Sequence, residues 1–228
     1  TAADRVHLVL LQGELKGAFH FGLHAGRGQL ALPPAVGRAL IGHFQKIPGQ
    51  RFHAEGVQKY RYFNHGRWSA CARCDLRPMP RIGLLSDTHG WLDPRIKDHF
   101  ANCDEVWHAG DIGGLHVTDE LRMWFPEKII RAVFGNIDDA AARRTFPEHQ
   151  RFETGGVAVW ITHIGGRPPR YEKHVIQELR STPPALFICG HSHVCLVQFD
   201  PAINCLYVNP GAAGRHGWHI MRTVLRFT

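Results

Sequence analysis

Five short stretches of this chain place metal-binding side chains directly after a glycine or an apolar run. They are Asp87-Thr-His89, Gly110-Asp111, Gly135-Asn136, Thr162-His163 and Gly190-His191-Ser192-His193. The candidates they supply are Asp87, His89, Asp111, Asn136, His163, His191 and His193, a mixture of imidazoles, two carboxylates and one amide oxygen without a thiolate. Such a nitrogen and oxygen set suits manganese, iron, zinc or nickel. It does not suit a structural cysteine–zinc site or an all-oxygen calcium site. Seven side chains exceed what one tetrahedral ion takes, and an aspartate can bridge two ions through its two oxygens. The set therefore fits a two-metal centre. Two divalent ions about 3.5–4 Å apart polarise a phosphoryl group and supply hydroxide at neutral pH. The chemistry served is hydrolysis by in-line displacement on phosphorus.

These residues need elements to hold them. Residues 82–85 form an apolar run that ends in Ser-Asp-Thr-His-Gly, a buried strand delivering polar groups at its C-terminal end. Alternate residues share a face on an extended strand end, so Asp87 and His89 point together, as do His191 and His193. Residues 105–108, 128–134, 157–162 and 186–189 read as further strands, each running into a candidate ligand. Helical patterns fall at 94–100, with Asp93 as N-cap and Pro94 in the first turn, and at 118–124 and 171–180. Strands are expected at 194–199, 203–208 and 219–227. Strand, polar turn and helix repeat, which predicts a layered α/β architecture with a site along one sheet edge.

The chain has 228 residues with 44% hydrophobic and 21% charged residues, values that exclude wholesale disorder, collagen and coiled coil. No apolar run approaches the roughly 18 residues of a membrane span, and no signal-peptide pattern opens the chain. The formal charge is +7 and the pI about 9.3. The excess is confined to residues 1–78, which hold 11 Lys/Arg against 4 Asp/Glu, whereas residues 79–228 hold 16 of each. The basic segment is irregular, with a strand expected at 8–11 and a helix at 34–44. Cys71 and Cys74 near His65 are a weak zinc or redox signal. The first of the three methionines is Met79, so residues 1–78 read as an extension of uncertain structure, adventitious to the domain that follows. With no secretory signal, the six cysteines read as reduced thiols and the protein as cytoplasmic.

The five motifs, in this order and spacing, resemble the calcineurin-like metallophosphoesterase superfamily, and in particular the small bacterial YfcE-type phosphodiesterases. The resemblance runs from Met79 to the end of the chain. It implies an α+β fold, a four-layer α/β/β/α sandwich of two mixed sheets flanked by helices. It also implies that Asp87, His89 and His193 hold one divalent ion, that Asn136, His163 and His191 hold a second, and that Asp111 bridges them. Asp111, Asn136 and His163 stand at its catalytic centre. Manganese is the favoured metal, with iron, zinc, nickel or magnesium as alternatives. Larger relatives carry a histidine after Gly-Asn that protonates the leaving group, whereas this chain has Ile137-Asp138 there. The missing acid favours good leaving groups, and Asp138 is expected to orient a ligand or water. The Asn209–Gly214 turn resembles a family feature beside the metals, with Arg215 and His216 following it. Small relatives continue for about one more strand, so the domain at 79–228 reads as C-terminally truncated, with an unpaired sheet edge expected at its last strand.

After His163, Arg167 and Arg170 are placed to grip a substrate phosphate. His108, just before Ala-Gly-Asp111, reads as a supporting residue rather than a ligand. The function expected is divalent-metal-dependent hydrolysis of a small phosphodiester or phosphate ester. Two alternatives stand beside it. The first is a non-catalytic scaffold, since this fold also serves as a subunit of the retromer coat. The second is a nucleic-acid-binding protein acting through the basic extension. The electrical balance of residues 79–228 disfavours nucleic acid as the partner. No membrane association is expected, and a homo-oligomer is compatible with the family.

Overall fold

The computed structural model describes the backbone of residues 6–10 and 19–21 and all of residues 80–228. The helix expected at 34–44 and the Cys71/Cys74/His65 group lie outside the described residues. Two of the described strands lie in the basic segment, β1 (Val6–Leu10) and β2 (Phe19–Phe21). The remainder runs β3 (Ile82–Leu85), α1 (Arg95–His99), β4 (Glu105–His108), α2 (Leu115–Trp124), β5 (Ile129–Ala132), α3 (Ala140–Thr145), β6 (His149–Thr154) and β7 (Val157–Thr162). It continues with the two-residue strands β8 (Gly166–Arg167) and β9 (Arg170–Tyr171), then α4 (Lys173–Ser181), β10 (Leu186–Ile188), β11 (Cys195–Asp200), β12 (Cys205–Pro210) and β13 (Thr223–Phe227).

The strands form two mixed sheets. The first has the order β2-β1-β13-β3-β4-β5, with β3, β4 and β5 parallel and β13 antiparallel to β3. The second has the order β11-β12-β10-β7-β6, with β7, β10 and β12 parallel. Side chains alternate between sheet faces, and here the alternation separates three cores. Ile82 and Leu84 of β3 and Trp107 of β4 face Val159 and Ile161 of β7 and Leu186 and Ile188 of β10, closing a core between the sheets. Leu85 and Val106 point the other way, onto Ile96, Phe100, Val117 and Leu121. Trp160, Phe187 and Tyr207 cover the outer face of the second sheet together with Val175 and Leu179 of α4. Three stacked cores define four layers, the α/β/β/α sandwich, with the motif-bearing strands in its two inner layers.

Local chemistry explains several boundaries. Asp93 Oδ1 accepts the Arg95 amide at 3.0 Å just ahead of α1, whose N-cap is Pro94 rather than the expected Asp93. Asp139 caps α3 by accepting from Ala142 at 2.8 Å. Strands β8 and β9 form a tight hairpin around a cis Pro168–Pro169 bond. One expectation is corrected: β13 has no free edge. Leu8 and Val9 of β1 pair with Leu225 and Val224, so backbone from the basic segment satisfies the groups that would otherwise face outward. Among the described residues no helix is long and apolar enough to cross a membrane.

Candidate metal centre

The parallel strands of both sheets end at the same place, and the motif residues follow their C-terminal ends. Asp87 and His89 follow β3 and Asp111 follows β4, in the first sheet. His163 follows β7, and His191 and His193 follow β10, in the second. Side-chain donor atoms converge in two triads, Asp87–His89–His193 and Asp111–His163–His191, within each of which the donors lie no more than 4.8 Å apart. Each triad draws on both sheets.

The two triads adjoin through Asp111. Asp111 turns Oδ1 to His163 Nε2 at 3.1 Å and Oδ2 to His89 Nε2 at 3.6 Å, one oxygen toward each group. Asp87 Oδ1 lies 3.2 Å from His193 Nε2 and 3.9 Å from His163 Nε2. Asp87, Asp111 and His163 are all buried, at most 2% exposed. His191 is exposed, so the cleft opens on that side.

The backbone here is strained in a patterned way. Among the described residues six non-glycine residues have positive φ, and five of them are Asp87, His89, Asp111, His191 and His193. The left-handed region costs a non-glycine residue about 1 kcal/mol or more. Its concentration at the motif residues reflects turns that re-aim side chains from the strand direction into the cleft.

The donor set fits a cation on two observations. First, His163 Nδ1 lies 2.8 Å from the Ala109 carbonyl, which can only accept, so Nδ1 carries the proton and Nε2 presents a lone pair. That Nε2 is buried and makes no hydrogen bond, although Asp111 Oδ1 stands 3.1 Å away. Two electron-pair donors aimed at one point need a proton or a metal cation between them. Second, the protonation tendencies fit. Burial opposes a charge on His163, but Asp111 and Asp87 outweigh it and raise its pKa, so without metal a proton is drawn to this spot. Burial likewise disfavours ionised Asp111, yet His163, the Ile137 amide and His89 hold its pKa below the ordinary carboxylate value. A cation binding here displaces protons from histidine. His89 is held neutral chiefly by burial, keeping a lone pair available.

Asn136 reaches the site through its neighbours. Ile137 N–H donates to Asp111 Oδ1 at 3.1 Å, and a Cβ on Gly135 would stand 2.1 Å from the same oxygen. The Asn136 side chain is itself exposed. Arg167 and Arg170 lie opposite each other on the β8–β9 hairpin, exposed, with no hydrogen bond or ion pair to either triad. Asp138 faces the backbone rather than the cleft. Oδ2 accepts from Gly135 at 2.7 Å and Ile112 at 3.1 Å, and Oδ1 from Gly113 at 2.7 Å, which ties the Asn136 loop to the Asp111 loop. Arg143 of α3 completes this clamp by donating to the carbonyls of Gly135, Asn136 and Asp138, a role sequence reading missed because α3 itself gave no periodic signal. The Asn209–Gly214 turn does border the site. Asn209 Nδ2 donates to the Gly190 carbonyl at 2.7 Å, and Gly214 N–H donates to the Asp87 carbonyl at 3.0 Å. Beyond it, the His216 ring lies 4.8 Å from that of His89 and the His219 ring 5.2 Å from that of His193. Arg215 stacks on Trp91 at 3.8 Å.

His108 is a fully buried support. Gly110 N–H donates to its Nδ1 at 3.2 Å, so Nε2 carries the proton and donates to Thr88 Oγ1 at 2.9 Å, whose hydroxyl passes on to the Ile112 carbonyl. Burial pushes the His108 pKa down to about 4. The unfolded chain takes up this proton below about pH 6.5 while the folded one resists until about 4. The His108 contribution is therefore complete above pH 6.5 and falls by about 3 kcal/mol as pH drops through that window. Urea unfolding of wild type and His108→Asn across pH 4–7 checks this: the wild-type slope should exceed that of the variant, and parallel profiles would contradict it.

The family model for the calcineurin-like phosphoesterase superfamily domain matches residues 80–228. A probable metallophosphoesterase of Methanocaldococcus jannaschii is 27% identical over 137 residues, 58% of this chain and 67% of that protein. Among solved structures, Vps29 of Chaetomium thermophilum superposes with a TM-score of 0.52 at 17% identity, covering 64% of this chain and 77% of that one, a likeness of fold. A predicted phosphoesterase from Streptococcus pneumoniae is 24% identical with a TM-score of 0.46, covering 65% of this chain and 83% of that one.

Proposed function

This chain belongs to the calcineurin-like phosphoesterase superfamily, and from that premise we propose that it is a two-metal phosphodiesterase acting on small phosphodiesters or phosphate esters. The observation that carries the reading is the pair of adjacent donor triads, Asp111 belonging to one and turning its second carboxylate oxygen toward His89 of the other. Asp87, His89 and His193 would hold one divalent cation, and His163, His191 and Asn136 the other, with manganese favoured. Bound there, divalent cations supply Lewis acidity to the phosphoryl group and make water acidic enough to ionise near neutral pH.

The chain's own residues supply the rest. The buried Asp87 and Asp111 fix negative charge at the cleft floor, and the Ala109 carbonyl locks the His163 ring with its lone pair facing inward. The Asp138–Arg143 clamp sets the Asn136 loop against Asp111. Arg167 and Arg170, four and seven residues beyond His163 on the exposed β8–β9 hairpin, are the side chains that would grip a substrate phosphate. No histidine occupies the position after Asn136, so turnover should favour leaving groups that depart without a proton.

The test is metal dependence. Full-length protein stripped with a chelator should show no hydrolysis of bis(p-nitrophenyl) phosphate, and manganese should restore it with a stoichiometry approaching two ions per chain. Unchanged activity after stripping would reject the metal-dependent mechanism; none at saturating manganese would reject the enzyme reading and favour a non-catalytic scaffold of the same fold.

A further inference from the structure

We propose that His219 is a positioning residue of the metal centre: it accepts the Nδ1 proton of His193 and so holds that ring in the tautomer that offers Nε2 to the cation. The inference rests on the metal-site reading above. It starts from His193, whose Nε2 lies 3.2 Å from Asp87 Oδ1 and 3.4 Å from His89 Nε2. That nitrogen faces the donor triad, so a neutral His193 able to ligate must carry its proton on Nδ1. A ligating histidine ordinarily hands this second proton to an acceptor, which fixes the ring and raises its basicity.

His219 has the complementary arrangement. Its Nε2 lies 3.0 Å from the Gly214 carbonyl and can only donate there, so its Nδ1 is a bare lone pair. That Nδ1 is buried and has no hydrogen-bond partner. The two rings meet edge to face, 5.2 Å between centroids at 75°. Both Nδ1 atoms border the same space over Gly217: a Cβ there would stand 2.3 Å from His193 Nδ1 and 3.2 Å from His219 Nδ1. A donor in need of an acceptor and an orphaned acceptor thus face one gap, kept clear by a residue without a side chain. On this proposal the gap is closed by an N–H···N bond from His193 Nδ1 to His219 Nδ1.

The experiment uses the full chain and zinc, which is diamagnetic. Calorimetric titration should show two zinc ions on wild type, with His219→Leu weakening one of them by about 10- to 100-fold. His219→Asn places Oδ1 where Nδ1 stood and should recover most of that loss. Nitrogen-15 shifts of His193 in zinc-loaded protein should report a proton on Nδ1 in wild type and in His219→Asn, and a disturbed tautomer in His219→Leu. Wild-type affinity in His219→Leu would overturn the proposal. So would equal losses in both variants with an unchanged His193 tautomer, which is the mark of a merely structural role. Absence of zinc binding by wild type would instead overturn the metal-site reading and this inference with it.

Discussion

Asp111→Asn is expected to lower metal-dependent phosphodiester hydrolysis by on the order of 10³-fold while leaving the metal-free fold nearly as stable as wild type. The size follows from where the carboxylate sits. Its oxygens face His163 Nε2 at 3.1 Å and His89 Nε2 at 3.6 Å, so asparagine must turn its amide nitrogen toward one of the two triads. That nitrogen is a donor, and it would occupy the lone pair of a histidine meant for a cation. The exchange also removes the charge that offsets the ions, while the new N–H···N bond compensates the empty site. Stability should therefore hold while binding and turnover fail. Steady-state kinetics and bound-metal content measured on the same preparation check this; a loss below tenfold would remove Asp111 from its bridging role.

Gly135→Ala should be almost as damaging, by a different route. The added methyl would stand 2.1 Å from Asp111 Oδ1, 2.4 Å from Asp111 N and 2.7 Å from the His163 ring. No real Cβ tolerates such distances, and the obstacles include backbone, so the loop must retreat. Retreat breaks the Ile137 amide bond to Asp111 and strains the bond from Gly135 to Asp138. Metal affinity should fall at least about 100-fold, since losing one supporting contact alone costs 10- to 100-fold. Overpacking at so tight a site should cost about 1–3 kcal/mol of stability. Calorimetric titration with manganese and urea unfolding measure the two effects. Wild-type affinity in the alanine variant would show that the loop yields freely and that Gly135 is not needed for space.

How far the sequence led differs from element to element. Strands β3, β4 and β10 were readable because each is a short run buried on both faces, as with Ile82, Leu84 and Leu85. Strand β6 was not, because His149–Thr154 is an edge strand with alternating exposed residues and only Phe152 packed on the core. Helix α3 escaped notice because six residues, mostly Ala and Arg, carry no amphipathic repeat; the signal present was the Asp139 cap. Asp138 was misjudged because a carboxylate beside Gly-Asn suggests solvent chemistry. Only the fold reveals three backbone amides converging on it. His219 could not be found from sequence at all, since its interest lies in a lone pair set by the Gly214 carbonyl. The pairing of β1 with β13 was hidden for a similar reason, because strand partners far apart in sequence leave no local mark.

The two triads each take ligands from both sheets, and this ties the choice of metal to the middle of the protein. Ion–ligand bond lengths tolerate errors of about 0.2 Å, far less than the spacing between packed side chains. What sets the offset of one sheet against the other is the layer of Leu84, Trp107, Val159, Ile161 and Ile188 between them. Those residues set the spacing between the two halves of each donor triad. On the two-metal reading proposed above, a methyl group gained or lost there would shift one half of each donor set against the other and alter its fit to a given ion. In such an architecture the hydrophobic core is also an instrument of inorganic chemistry.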